Sequence, residues 1–261
     1  MSRSDASDSS LFPPPGGDAG TAPAADRTVT LPARRKPLGP GFDPASQPWE
    51  INPTGLQAVP PDRLTAMALR ARFARPPAWT PESAETWSTR FPGPETGLRL
   101  ASVLVPLVMR PAGLQVMLTQ RTAHLHDHAG QVSFPGGRVE KTDASVIAAA
   151  LREAQEETGL PPGKVEVIGQ LPDYVTSTGY NIVPLVGLVQ PDFDPVPNPF
   201  EVAEVFEVPL AFLMDPANHR VHRVALPHNG SHTYFSMPYG KYFVWGATAG
   251  MLHNLYRFLD A

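Results

Sequence analysis

The chain has 261 residues, enough for one large domain or two small ones, and 42% of them are hydrophobic, so a substantial core can be buried. A formal net charge of -4, with no basic run longer than Arg34-Arg35-Lys36, excludes an electrostatic footprint for nucleic acid. Cysteine is absent, which rules out disulfides, thiolate metal sites and cysteine nucleophiles.

No apolar run reaches the length of a membrane span, since the best candidate, around Ala101 to Met109, is broken by Pro106. The opening MSRSDASDSS lacks the apolar centre of a secretory signal, so a cytoplasmic protein without a membrane partner is expected.

Residues 1–45 are rich in Pro, Gly, Ala, Ser and Asp, and PPPGGDAGTAPAAD cannot bury enough surface to offset its ordering entropy. A disordered tail is expected there. Residues 46–96 read as an N-terminal extension. Trp49, Ile51 and Leu56 could anchor an extended piece, and Asp62 caps a helix through Leu64, Met67, Leu69 and Phe73 that Pro76-Pro77 ends. Arg70, Arg72 and Arg75, on or after that helix, are expected to face solvent rather than an anionic ligand.

The main domain is expected over 97–261. Leu98 to Met109 and Leu114 to Thr119 form an antiparallel hairpin about Pro111-Ala112-Gly113. Strands follow at Val165 to Ile168, Asn181 to Val189, Glu204 to Val208 and within Tyr234 to Val244, with a short helix near Pro209 to Met214 and a closing helix from Trp245 to Leu259. Mixed strands with one central and one terminal helix predict an α/β sandwich.

The chemistry concentrates between Gly136 and Leu160, a Gly-Gly turn followed by an Ala-rich helix ending at Gly159. At about 100° per residue, Glu153, Glu156 and Glu157 fall within roughly a 100° arc, away from the packing stripe of Ile147, Leu151 and Ala154. Three close carboxylates repel one another. A divalent cation such as Mg²⁺ or Mn²⁺, whose other positions go to water and phosphate, relieves that repulsion.

Arg152-Glu153-Ala154-Gln155-Glu156-Glu157-Thr158-Gly159-Leu160 resembles the second half of the Nudix box, G-x5-E-x7-R-E-U-x-E-E-x-G-U, at every fixed place. The first half departs from it. Counted from Gly137 the spacing is one residue too long, Ala144 stands in the in-register position of the early glutamate, and Asp143 is the nearest acid. Upstream, Leu118-Thr119-Gln120-Arg121-Thr122, Gly130 and Ser133-Phe134-Pro135-Gly136-Gly137 resemble the signature of the coenzyme A pyrophosphatase subgroup, with His126 in place of its second arginine.

The resemblance implies a Nudix-type α/β/α sandwich with a mixed sheet, using Mg²⁺ or Mn²⁺. It implies metal ligands at Glu153, Glu157 and Glu156, with the Gly136 carbonyl as a fourth, and Arg152 orienting a helix acid by a salt bridge. Arg121, His126, Phe134 and Tyr180 are the expected substrate contacts. The general base is expected at Glu201 or Glu204 on a late loop, with Glu156 able to serve instead. The implied substrate is coenzyme A or acyl-CoA, cleaved to 4′-phosphopantetheine, acylated or not, and adenosine 3′,5′-bisphosphate. NADH, ADP-ribose or another dinucleotide is the alternative, and a non-catalytic nucleotide-binding regulator a third reading. A homodimer is left open.

Overall fold

The computed structural model describes residues 42–51, 55–81, 97–125, 128–176, 178–226 and 230–261. All but the last four residues of the expected tail lie outside these, as does His126. In chain order the elements are β1 (Glu50–Ile51), a 3-10 turn (Pro61–Leu64), α1 (Ala66–Ala74), β2 (Arg99–Arg110), β3 (Gly113–Arg121), β4 (Val132–Ser133), β5 (Gly136–Arg138) and α2 (Val146–Thr158). Then come β6 (Val165–Gln170), β7 (Tyr174–Val175), β8 (Tyr180–Val189), β9 (Val202–Pro209), α3 (Leu210–Leu213), β10 (Arg220–Leu226), β11 (Gly230–Tyr239), β12 (Tyr242–Trp245) and α4 (Gly246–Asp260).

The larger sheet is mixed. β2 pairs in parallel with β8 from Arg99↔Tyr180 to Val108↔Val189, and antiparallel with β3 and β5. β3 carries β9 and β4, while β8 carries β6 and β7. Side chains alternate between two cores, as the period of a strand requires. Val103, Val105 and Leu107 join one cluster with Leu252, Leu255 and Phe258 of α4, and Leu104 and Val108 join the other with Ala150 and Ala154 of α2. Burial on both faces explains why apolar residues stand at successive positions of this strand and not only at alternate ones. Each core residue such as Leu104 or Leu107 contributes on the order of 1.5–3 kcal/mol through burial.

A second sheet, in the order β1-β10-β11-β12, packs on α4. β10 is absent from the sequence expectation because Arg220, His222 and Arg223 mask its alternation. His222 is nonetheless buried, stacked on Tyr234 with ring centroids 4.4 Å apart and bonded through Nε2 to Ser236 Oγ at 2.8 Å.

The N-terminal expectation needs three corrections. The helix cap is Thr65, whose side chain accepts from the Ala68 amide at 3.2 Å, because Pro60-Pro61 set up a separate 3-10 turn that ends at Leu64. Trp49 and Ile51 are exposed rather than anchoring, and Trp49 stacks under the Arg220 guanidinium at 4.1 Å. Arg72 is part-buried and donates to the Phe258 carbonyl at the end of α4, whereas Arg70 is exposed as expected and pairs with Glu166 at the surface.

Candidate active site

The Gly-Gly turn brings backbone closer to β2 than a side chain would allow. Gly136, at φ +152°, would set a Cβ 2.5 Å from the Ser102 carbonyl oxygen and 2.6 Å from Val103 Cα. A Cβ on Gly137 would fall 2.5 Å from the Glu153 carboxyl carbon. The pair therefore opens a slot through which helix carboxylates reach the strand. The Gly136 amide donates to Glu157 Oε2 at 3.1 Å.

Helix α2 aims those carboxylates. Ser145 caps it by accepting from the Ala148 amide at 3.1 Å, and Gly159 ends it in the left-handed conformation at φ 71°. Ala149, Ala150 and Ala154 let the helix lie close to the sheet, which carries Glu157 to 3% exposure. Burial pushes the Glu157 carboxyl up to about 8; the Gly136 amide and Arg121 pull it down, while Glu153 and Glu201 raise it. Glu153 is also raised, chiefly by burial, against the pull of Arg152.

Arg152 is held by three acids. Its Nε and Nη2 donate to the two Asp143 oxygens, each at 2.9 Å, and its Nη1 donates to Glu153 and Glu156, each at 3.0 Å. Asp143 also accepts from the Glu140 amide at 2.8 Å, and Arg152 holds its carboxyl well below the usual range, at about 2. The box with one extra residue thus still presents an acid to the arginine, from the loop before the helix. Asp143 had no role in the sequence expectation; its place nine residues before Arg152 was the available signal. Glu156 lies on the exposed side of α2 and is tied to Arg152.

The two late-loop acids separate. In the turn Asn198-Pro199-Phe200-Glu201 the Asn198 amide donates to the Glu157 carbonyl and the Val196 amide to that of Thr158, at 2.9 and 2.8 Å. This fastens the turn to the end of α2 and brings Glu201 close enough for its charge to raise Glu153 and Glu157. Glu204 lies elsewhere. It accepts from Tyr242 Oη at 2.7 Å and pairs with Lys241 at 2.9 Å, on the side of β9 that faces the second sheet. Lys241 and Tyr242 hold it there.

Among the expected substrate contacts, Arg121 ends β3 with Nη1 3.7 Å from Glu157 Oε1, and its buried Nε has no hydrogen-bond partner among the described residues. Phe134 is 2% exposed and packs in the core. Tyr180 opens the inner strand β8 with its ring under the Arg99 guanidinium at 3.9 Å, and no contact among the described residues ties it to the carboxylates. Thr122 and Asn198, which fasten the late loop, were not singled out from the sequence.

Among the described residues, no three acids or histidines are already closed into a ligating geometry, because Glu153 and Glu156 both turn to Arg152. The donor chemistry nonetheless fits a hard divalent cation. All donors are oxygens, and Glu157 is buried with a carboxyl that ionises only reluctantly unless a positive charge joins it.

A family model for the NUDIX domain matches residues 98–228, which is half of the chain. The chain belongs to the Nudix family. Uncharacterized Nudix hydrolase NudL of Escherichia coli O1:K1 / APEC is 51% identical over 159 residues, covering 60% of this chain and 81% of that protein. NudL of Shigella boydii serotype 18 gives the same values. Two solved structures are similar in part: a Nudix hydrolase from M. smegmatis, RenU, at 24% identity and TM-score 0.37, covering 44% of this chain and 72% of that one; and the NUDIX domain of Shewanella oneidensis NrtR complexed with ADP ribose, at 22% identity and TM-score 0.36, covering 49% and 84%. The chain therefore has the Nudix fold, α/β with a mixed sheet, and is a Nudix hydrolase acting on a nucleoside diphosphate derivative. Nudix hydrolases in general use divalent metals such as Mg²⁺ or Mn²⁺. No helix among the described residues is long and apolar enough to cross a membrane.

Proposed function

We propose that this Nudix hydrolase cleaves the diphosphate linkage of coenzyme A or its acyl derivatives, giving 4′-phosphopantetheine or its acyl form and adenosine 3′,5′-bisphosphate. The observation that carries the reading is the convergence of the Gly136 amide and Arg121 on buried Glu157, beside Glu153 and Glu201. Arg121 and the Phe134-Pro135-Gly136-Gly137 turn are the residues by which the chain resembles the coenzyme A pyrophosphatase subgroup, and they border this same cluster.

Glu153 and Glu157, with Glu156 and the Gly136 carbonyl, are the residues that would hold Mg²⁺ or Mn²⁺, and the bound ion would compensate diphosphate charge and polarise a phosphorus centre. Glu201 accepts the proton of the attacking water as its oxygen bonds to phosphorus and the bridging P–O bond breaks. Arg121, whose partly exposed guanidinium stands beside Glu157, donates to a phosphate oxygen. Arg152 fixes the approach of Glu153 and Glu156, and the Gly136 amide fixes that of Glu157.

The test is a panel of coenzyme A, acetyl-CoA, NADH and ADP-ribose with Mg²⁺ or Mn²⁺, scored by product identity. Release of adenosine 3′,5′-bisphosphate from the coenzyme A compounds is expected. Turnover of NADH or ADP-ribose without cleavage of any coenzyme A compound would overturn the substrate assignment.

A further inference from the structure

The turn that carries Glu201 also displays Phe200 at 75% exposure. Single exposed apolar side chains are common and carry nothing by themselves. Phe200 differs in how its backbone is held. Its amide donates to Asn198 Oδ1 at 3.1 Å, and its carbonyl accepts from Thr122 Oγ1 at 3.1 Å. The Thr122 amide donates to the Glu201 carbonyl, and the Glu201 amide to the Asn198 carbonyl, at 2.9 and 3.0 Å. Pro199 precedes it with a fixed φ.

This turn is bonded to α2 through the Glu157 and Thr158 carbonyls and to the chain just after Arg121 through Thr122. The exposed ring thus belongs to a rigid turn between two parts of the carboxylate site. The backbone bonds fix the Cα of Phe200 next to Glu201, and its ring remains exposed there.

We propose that Phe200 is a specificity-determining residue whose ring stacks on the planar base of the nucleoside diphosphate substrate. The inference rests on the reading that the site takes a nucleoside diphosphate derivative, and it does not require that derivative to be coenzyme A. A base is the one planar apolar surface such a substrate offers. An aromatic face beside the diphosphate site contributes stacking that an aliphatic chain of similar area does not reproduce.

The test compares Phe200→Ala, Phe200→Leu and Phe200→Trp with the unaltered full chain, each first checked for unchanged Tm. In titrations, the added fluorescence of F200W over the unaltered protein is expected to be quenched by AMP and not by ribose 5-phosphate, which lacks the base. F200A and F200L are both expected to weaken AMP binding roughly tenfold, with F200W near the unaltered affinity. On whichever substrate the panel identifies, F200A and F200L lower kcat/KM mainly through KM. Equal response of F200W to AMP and ribose 5-phosphate, no response to either, or unaltered AMP affinity in F200L would overturn the proposal. The AMP measurement needs no turnover, so a failed substrate panel and a failed stacking assignment give different results.

Discussion

Asp143 grips Arg152 through both carboxylate oxygens at 2.9 Å, from outside the helix on which the arginine stands. The same guanidinium holds Glu153 and Glu156, so the arginine's position, and through it the aim of two acids, depends on Asp143. Asp143→Asn keeps the shape and removes the charge. It is expected to lower kcat or metal affinity roughly 10- to 100-fold, as loss of partners that orient metal ligands does. Titrating activity against Mg²⁺ concentration checks this; an unchanged kcat together with an unchanged Mg²⁺ dependence would detach Asp143 from the site.

Glu157→Gln tests the centre of the cluster. The amide retains volume and can still meet the Gly136 backbone, so the fold should persist. Turnover is expected to fall at least about a hundredfold. Near-normal activity with metal present would remove Glu157 from the ligand set.

The two late acids make opposite predictions. Glu201→Gln is expected to cut kcat by roughly 10²- to 10⁴-fold if Glu201 accepts the water proton. Glu204→Gln should leave kcat close to normal, because Glu204 is occupied by Lys241 and Tyr242. Steady-state kinetics on both variants, with the same substrate, distinguishes the assignments.

Gly137→Ala adds one methyl group where the Glu153 carboxyl already lies, 2.5 Å away. Displacing the carboxylate by about an ångström is expected to cost on the order of 10²-fold in activity. Thermal unfolding should change little by comparison, and a loss of Tm in proportion to activity would point to misfolding instead.

Metal-free protein should be less stable at pH 8 than at pH 5. The Glu157 carboxyl is raised from an ordinary 4.5 to about 8 in the fold. Between those values the unfolded chain has released the proton and the folded chain retains it, so stability falls as pH rises. The contribution is complete below 4.5 and gone above about 8. Saturating Mg²⁺ should remove most of the slope, as should Glu157→Gln; Tm measured across this range in EDTA and in Mg²⁺ is the check.

What could be read ahead of the structure followed from strong local periodicity. Leu104 and Val108 against Val103 and Leu107 gave a strand, the carboxylate arc on α2 gave a charged face, and Gly159 gave a stop. What could not be read depends on contacts distant in sequence. Phe134 is apolar in a signature stretch, yet only the packing of the sheet shows that it is core. Glu201 and Glu204 are three residues apart and chemically alike; the bonds of Asn198 to α2, and of Lys241 to Glu204, part them. β10 was missed because its buried imidazole, His222, reads as polar.

The parallel pairing of β2 with β8 joins residues 81 positions apart, as Ser102 and Val183 illustrate, and α2 lies wholly within the segment it closes. Such long-range closure is slow, since loop entropy is spent before the contacts reward it. Glu153 and Glu157 fall inside that segment, while Glu201 follows it, on the approach to β9. The carboxylate cluster consequently comes into being with the whole sheet rather than with any local motif. During refolding, tight divalent-cation binding should appear in step with the final native signal, and a collapsed intermediate should lack it.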